Sequence, residues 1–426
     1  MTDKEGRRDD AHAGPAPPEA CSSADWRTGT GGAAQDLEWC ELRAEPEWKC
    51  HMNLDQIREK FPITRHYNFQ NHAAIAPLSG PAAEALTGYA REISESAYLE
   101  GNYYRAAERV RNAAAHLLHA DADEVTFVKN TSEGINYVAN GIQWVTGDNV
   151  VSTTMEFAAN VYPWLALSAR GVHLKQVDEE DGRVPFDRLA AAIDKRTRVV
   201  AISSVQFSNG FRIDLTRLGE LCKEKGVLLF VDAIQSLGVH PIDVRAMNID
   251  FLAADGHKWL CGPEGAGIFY CRRELIGHLH PTEIGYLAMK HGYETNEIKM
   301  DLRDDARRFD SGVYNLAGIC AMGASLNLLL DVGIDEVQVQ VKDLTDQLVE
   351  GLRRRGWKVH SPRTPSEWSG IVTFSADKLD LRELRRHLRD EFRIVVASRL
   401  GRLRASPHFY NSPEEIDQLV EALPAQ

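Results

Sequence analysis

Between residues 125 and 271 one pattern repeats: a short apolar run, a polar residue at its end, then a stretch with helical spacing. The runs fall at 125–128, 150–153, 173–177, 199–204, 227–231, 251–253 and 267–271, with helix-like segments at 160–170, 186–193 and 215–225. Strands that are apolar on both sides need cover on both faces. Helices between consecutive strands make those strands parallel. The pattern therefore predicts an α/β fold with a mainly parallel sheet and helices on both faces.

The pattern changes near residue 330. An amphipathic helix is expected over 335–355, a strand over 371–374, a helix over 381–392 and a strand over 394–396. A last helix is announced by the capping box of Ser412 and Glu415. This gives a large domain over 52–330 and a small C-terminal domain over 331–426. Residues 1–51 differ from both. Pro15, Pro17, Pro18 and the Gly-rich stretch 28–32 resist packing, which predicts a disordered tail. Met52 opens a more ordinary start, so the tail is either genuine or a misassigned extension.

Composition narrows the function classes. With 62 acidic against 49 basic residues the net charge is −13, which argues against a general nucleic-acid binder. The arginines at 382, 385, 386, 389 and 393 are interrupted by Glu383, Asp390 and Glu391 and read as a solvated helix face. No run reaches the roughly 18 apolar residues of a membrane helix, and the start lacks a secretory pattern. The seven cysteines, at 21, 40, 50, 222, 261, 271 and 320, form no CxxC or zinc-type spacing. Reduced thiols in a cytoplasmic protein, with no metal, are the expectation.

Three segments carry chemistry. The run 227–231 leads into Asp232, a carboxylate where open α/β sheets bind ligands; it calls for a cationic partner or caps a helix. Lys258 follows the next buried run among apolar neighbours, where desolvation would free its amine for Schiff-base chemistry. Gly262–Gly267 leads into a strand rather than a helix and reads as turn chemistry. Thr131 and Ser132 open a helix after a strand, as an anion site or an ordinary cap. Together they suit one ligand with a phosphate, a ring-nitrogen cation and an aldehyde. Pyridoxal 5'-phosphate has all three.

With Asp-Gly-His-Lys-Trp-Leu-Cys-Gly-Pro-Glu-Gly-Ala-Gly over 255–267, Val-Asp-Ala-Ile-Gln-Ser over 231–236 and Asn-Thr-Ser-Glu-Gly-Ile-Asn over 130–136, residues 55–425 resemble the class V aminotransferase family of fold type I pyridoxal-phosphate enzymes. That group includes cysteine desulfurases, selenocysteine lyases and isopenicillin N epimerases. The resemblance implies that Lys258 bonds the cofactor and moves the α-proton. Asp232 would meet the ring nitrogen, and Gln235 the ring hydroxyl. Thr131, Ser132 and His257 would hold the phosphate, and Phe157 would stack on the ring where many relatives carry His. Asn209 would lie near cofactor and substrate, and Arg404 would grip the substrate carboxylate, with Arg399 and Arg402 as neighbours able to read a second acidic group. It also implies a homodimer acting on an amino acid.

Three departures stand out. The segment before Arg404, residues 398–403, is short and has no cysteine, unlike the desulfurase loop. Val313 stands where relatives often have Thr, and Asp255 where some have Ser. The expected activity is a C–S lyase or aminotransferase without the desulfurase loop cysteine. The alternatives are an epimerase or a non-catalytic protein of the same fold.

Overall fold

The computed structural model describes residues 53–99, 102–293, 298–377 and 379–426. The expectations for residues 1–51 and for Met52 lie outside these. Seven strands form one sheet: β1 (Val125–Val128), β2 (Asn149–Thr153), β3 (His173–Val177), β4 (Thr197–Ser203), β5 (Leu228–Asp232), β6 (Phe251–Asp255) and β7 (Gly267–Cys271). Their order is β1-β7-β6-β5-β4-β2-β3. Only β7 runs against its neighbours; the remaining pairs are parallel.

Alternation along each strand feeds two cores. In β5, Leu229 and Val231 enter one and Phe230 the other. Every residue of β6 and β7 is buried, as their unbroken apolar sequences require. The edge strand β3 is mostly accessible, matching its His, Lys and Gln.

The longer helices are α1 (Gly80–Ser96), α2 (Tyr103–Leu118), α3 (Thr131–Gly141), α4 (Leu215–Lys225), α5 (Leu316–Val332), α6 (Ile334–Arg354), α7 (Leu381–Phe392) and α8 (Pro413–Ala422). Gly134 brings α3 unusually close to the sheet. A Cβ there would sit 2.7 Å from that of Ala253 on β6. Helix α5 was not expected. It packs against α1 and α2 and is buried nearly all round, so it has no amphipathic period to read. Gly333, at φ 88°, separates it from α6.

A second sheet, all antiparallel, has β8 (Lys358–Val359), β9 (Val372–Ser375), β10 (Ala397–Arg399) and β11 (Arg402–Ala405) in the order β10-β11-β9-β8. Phe374 and Leu403 pack one face onto Leu348, Leu388 and Ile416 of α6, α7 and α8. A parallel pair, Asn68–Phe69 with Ile394–Val395, ties the chain before α1 to this region.

Two expectations need correction. The segment 160–170 is α-helical only over Tyr162–Ala166, between 3-10 turns. The strand expected at 394–396 covers only Ile394–Val395, and a separate strand, β10, follows after Val396. The capping box at Ser412 and Glu415 forms as anticipated.

Candidate active site

The carboxyl ends of β5 and β6 and the start of α3 surround a cavity of about 330 Å³. That is ordinary for a small-ligand site. Thr131, Ser132, Phe157, Asp232, Gln235, His257, Lys258 and Arg404 all line it, as do Ala73, Phe207, Asp255 and Arg399. Eight of the nine residues singled out in the sequence thus meet in one place.

Asp232 ends β5 and is 2% exposed. Its Oδ1 accepts from the Ile234 N–H at 3.1 Å. Burial raises its proton affinity, and the nearby Glu156 carboxylate raises it further; Lys258 opposes. A floor carboxylate in this state is ready for a cationic N–H. Lys258 is partly accessible within the cavity. Burial lowers its pKa, Asp232 and Asp255 oppose that shift, and Arg404 and Arg399 add to it. Its Nζ lies 5.9 Å from the centre of the Phe157 ring. Phe157 is half-exposed, and Phe207 meets it edge-on at 5.1 Å.

Helix α3 starts at Thr131, with Asn130 as its cap. The Thr131 Oγ1 accepts from the Asp255 N–H at 3.2 Å, which leaves its own proton to donate. Ser132 stands beside it at the positive end of the helix dipole. Asp255 would repel an anion there if unpaired. Its Oδ2 lies 3.0 Å from His257 Nδ1, an ion-pair distance, although poorly aligned for a directed hydrogen bond. The Gln235 amide donates to the Ala73 carbonyl at 3.0 Å and accepts from Trp259 Nε1 at 2.9 Å, leaving one N–H to offer the cavity.

Arg404 comes from β11 and is 1% exposed. Its Nη1 donates to the Phe207 carbonyl at 2.9 Å, and its buried Nε has no partner. A buried guanidinium with spare donors points to an anionic ligand.

Asn209 is the exception. It is buried outside the cavity lining, and its amide donates to the Gly182 carbonyl at 2.6 Å and accepts from the Phe211 N–H at 3.0 Å. Both ends bond the backbone of the loop. Val313 lies outside this cavity, beside a second hollow with Tyr314 and Asp310.

Sequence reading assigned no role to Glu156 or to the wall from Ala73 to Ile75. Glu156 had a signal, a carboxylate next to an apolar strand end. The alanines had none.

The sequence profile described as Aminotransferase class-V matches residues 81–419. The chain belongs to the class-V aminotransferase family. It is 31% identical to a probable cysteine desulfurase of Methanothermobacter thermautotrophicus, over 87% of this chain and 98% of that protein. A cysteine desulfurase of Klebsiella pneumoniae is 30% identical, over 87% and 97%. Among solved structures, the apo cysteine desulfurase of Thermococcus onnurineus superposes with a TM-score of 0.80 at 26% identity, covering 88% of this chain and 98% of that one. A cystine C–S lyase, C-DES, solved with its product cysteine persulfide, shares the fold at a TM-score of 0.77 and 23% identity, over 85% and 98%. The fold is that of fold type I pyridoxal-phosphate enzymes, and this family member is a pyridoxal-phosphate enzyme. The cavity fits the cofactor: a buried carboxylate awaits a cation, hydroxyls and N–H groups gather at the start of α3, and a lysine of lowered pKa lies between them.

Proposed function

We propose that the enzyme acts at the α-carbon of an amino acid as a C–S lyase or aminotransferase, and holds no sulfur on a loop cysteine. The observation that carries this is Arg404, a guanidinium that lines the same cavity as Lys258 and whose buried Nε has no partner. Its planar fork suits the substrate carboxylate. Bound pyridoxal phosphate supplies an electron sink for charge left at the α-carbon. Thr131, Ser132 and His257 would hold its phosphate, Gln235 its ring hydroxyl, and Asp232 its ring nitrogen. Asp232 would favour a proton at that nitrogen. Lys258, its pKa lowered to about 8, has a much larger neutral fraction near neutral pH than an ordinary lysine and would take the α-proton. Phe157 would stack on the cofactor ring but carries no proton, so proton handling would fall to Lys258.

The absence of a sulfur relay is supported by the hairpin before Arg404. Strands β10 and β11 are joined by Leu400 and Gly401 alone. The four described cysteines, Cys222, Cys261, Cys271 and Cys320, are buried, and none lines the cavity. Burial pushes the Cys261 thiol well up, which removes thiolate.

The relatives' name makes cysteine the first substrate to test and favours desulfuration as the second reading. Incubation with L-cysteine separates them. Pyruvate with sulfide marks the lyase. Alanine, with sulfur passed to a thiol, marks a desulfurase and refutes the proposal. Amine exchange that needs a keto acid marks the aminotransferase.

A further inference from the structure

The hairpin places three arginines on one face of the small sheet. Ala397 pairs with Arg404 and Arg399 with Arg402 across β10 and β11. Opposed residues share a face, and so do alternate residues of one strand. Arg404 ends deep in the cavity and Arg399 at its exposed rim; both line it, and Arg402 does not. Leu400 at φ 48° and Gly401 at φ 73° form the tight two-residue turn that fixes Arg399 there.

Of the carboxylates in the cavity, Asp255 has its Oδ2 3.0 Å from His257 Nδ1, and Asp232 lies at the floor, where the ring nitrogen belongs. No carboxylate forms an ion pair with Arg399 or Arg404 among the described residues, although Arg399 is close enough to depress the proton affinity of Arg404. The substrate α-carboxylate neutralises one guanidinium and leaves a second facing the same space.

We propose that Arg399 reads a second acidic group, so that the substrate is an α-amino acid whose side chain ends in an anion. This rests on the reading of Arg404 and Lys258 as amino-acid machinery.

The test compares isosteres. The cofactor-loaded enzyme is titrated with L-aspartate against L-asparagine and L-glutamate against L-glutamine, following the visible absorbance of the cofactor. At least one acid should bind tenfold or more tighter than its amide. Arg399→Gln should bring that ratio close to one, with the loss falling on the acid, and Arg399→Lys should restore part of it. Arg404→Gln should weaken acids and amides alike. Amides that bind wild type as tightly as the acids, or an Arg399→Gln loss equal for both, would overturn the assignment. If no amino acid, L-cysteine and L-alanine included, moves the spectrum, the amino-acid reading fails and this proposal fails with it. Arg399 is exposed at a strand end, so the variants should fold.

Discussion

Glu156 is the most exacting test of how the cavity is held. It is 8% exposed, and all of its partners donate. One oxygen accepts from the Ser203 N–H at 2.7 Å and from Gln206 Nε2 at 2.9 Å. The other accepts from the Ser203 hydroxyl and from Asn160 Nδ2 at 3.0 Å. Burial raises its proton affinity, and these donors oppose the shift. In Glu156→Gln one oxygen becomes an NH₂. With that NH₂ toward Ser203 Oγ, the hydroxyl can turn and accept, but Asn160 Nδ2 then faces a donor. Flipping Asn160 is no escape, because its Oδ1 accepts from Trp164 Nε1 at 2.9 Å. One buried donor is left unmade at about 1–3 kcal/mol, and two surviving bonds lose their charge assistance at about 1 kcal/mol each. The sum is about 3–5 kcal/mol, read by urea unfolding at pH 7.5. The segment from Glu156 to Asn160 also carries Phe157, so cofactor affinity should fall as well. A loss below about 1 kcal/mol with unchanged affinity would refute the acceptor-only account.

Two further predictions follow from burial and close packing. Burial pulls the His408 pKa down to about 4 from an ordinary value near 6.5. Its stabilising share is then complete above pH 6.5 and is lost as the pH falls toward 4, by about 3 kcal/mol in all. His72 and His240 are shifted the same way and add to it, and His408→Gln should flatten part of the slope of unfolding free energy against pH over that window. Gly134→Ala places a Cβ 2.7 Å from Ala253 and must push the start of α3 off β6. The expected result is at least tenfold weaker pyridoxal-phosphate binding by equilibrium dialysis, with a folded circular-dichroism spectrum.

Much of the large sheet could be read in the chain because all its strands but the edge strand β3 are largely apolar on both faces and a polar residue stands at or just after each end. Asp232 and Thr131 stood out for the same reason: they sit where a buried run stops. Lys258 was legible as a cation next to a buried apolar run. What stayed hidden depends on long-range contact. Helix α5 is buried on nearly all sides and so loses the period that marks a surface helix. Arg111 of α2 gave no sign that it would bond Asp310 and Tyr314, about 200 residues later, in a buried pair with 3.3 Å between Arg111 Nη2 and Asp310 Oδ2. Nor did the motif show that the Asn209 amide would bond the backbone of Gly182 and Phe211. The wall from Ala73 to Ile75 has no side-chain chemistry of its own and is held through its backbone, by the Gln235 amide on the Ala73 carbonyl and by Ser406 Oγ on the Ala73 N–H.

Lys258 and Asp232 are the two groups on which the pyridoxal-phosphate site depends. The direct measurement is the visible absorbance of the purified protein supplied with pyridoxal phosphate, for wild type and for Lys258→Ala. A band retained through dialysis in wild type, lost in the variant and shifted by an amino acid is the predicted result. A protein that stays colourless, or a variant whose band matches wild type, would contradict it.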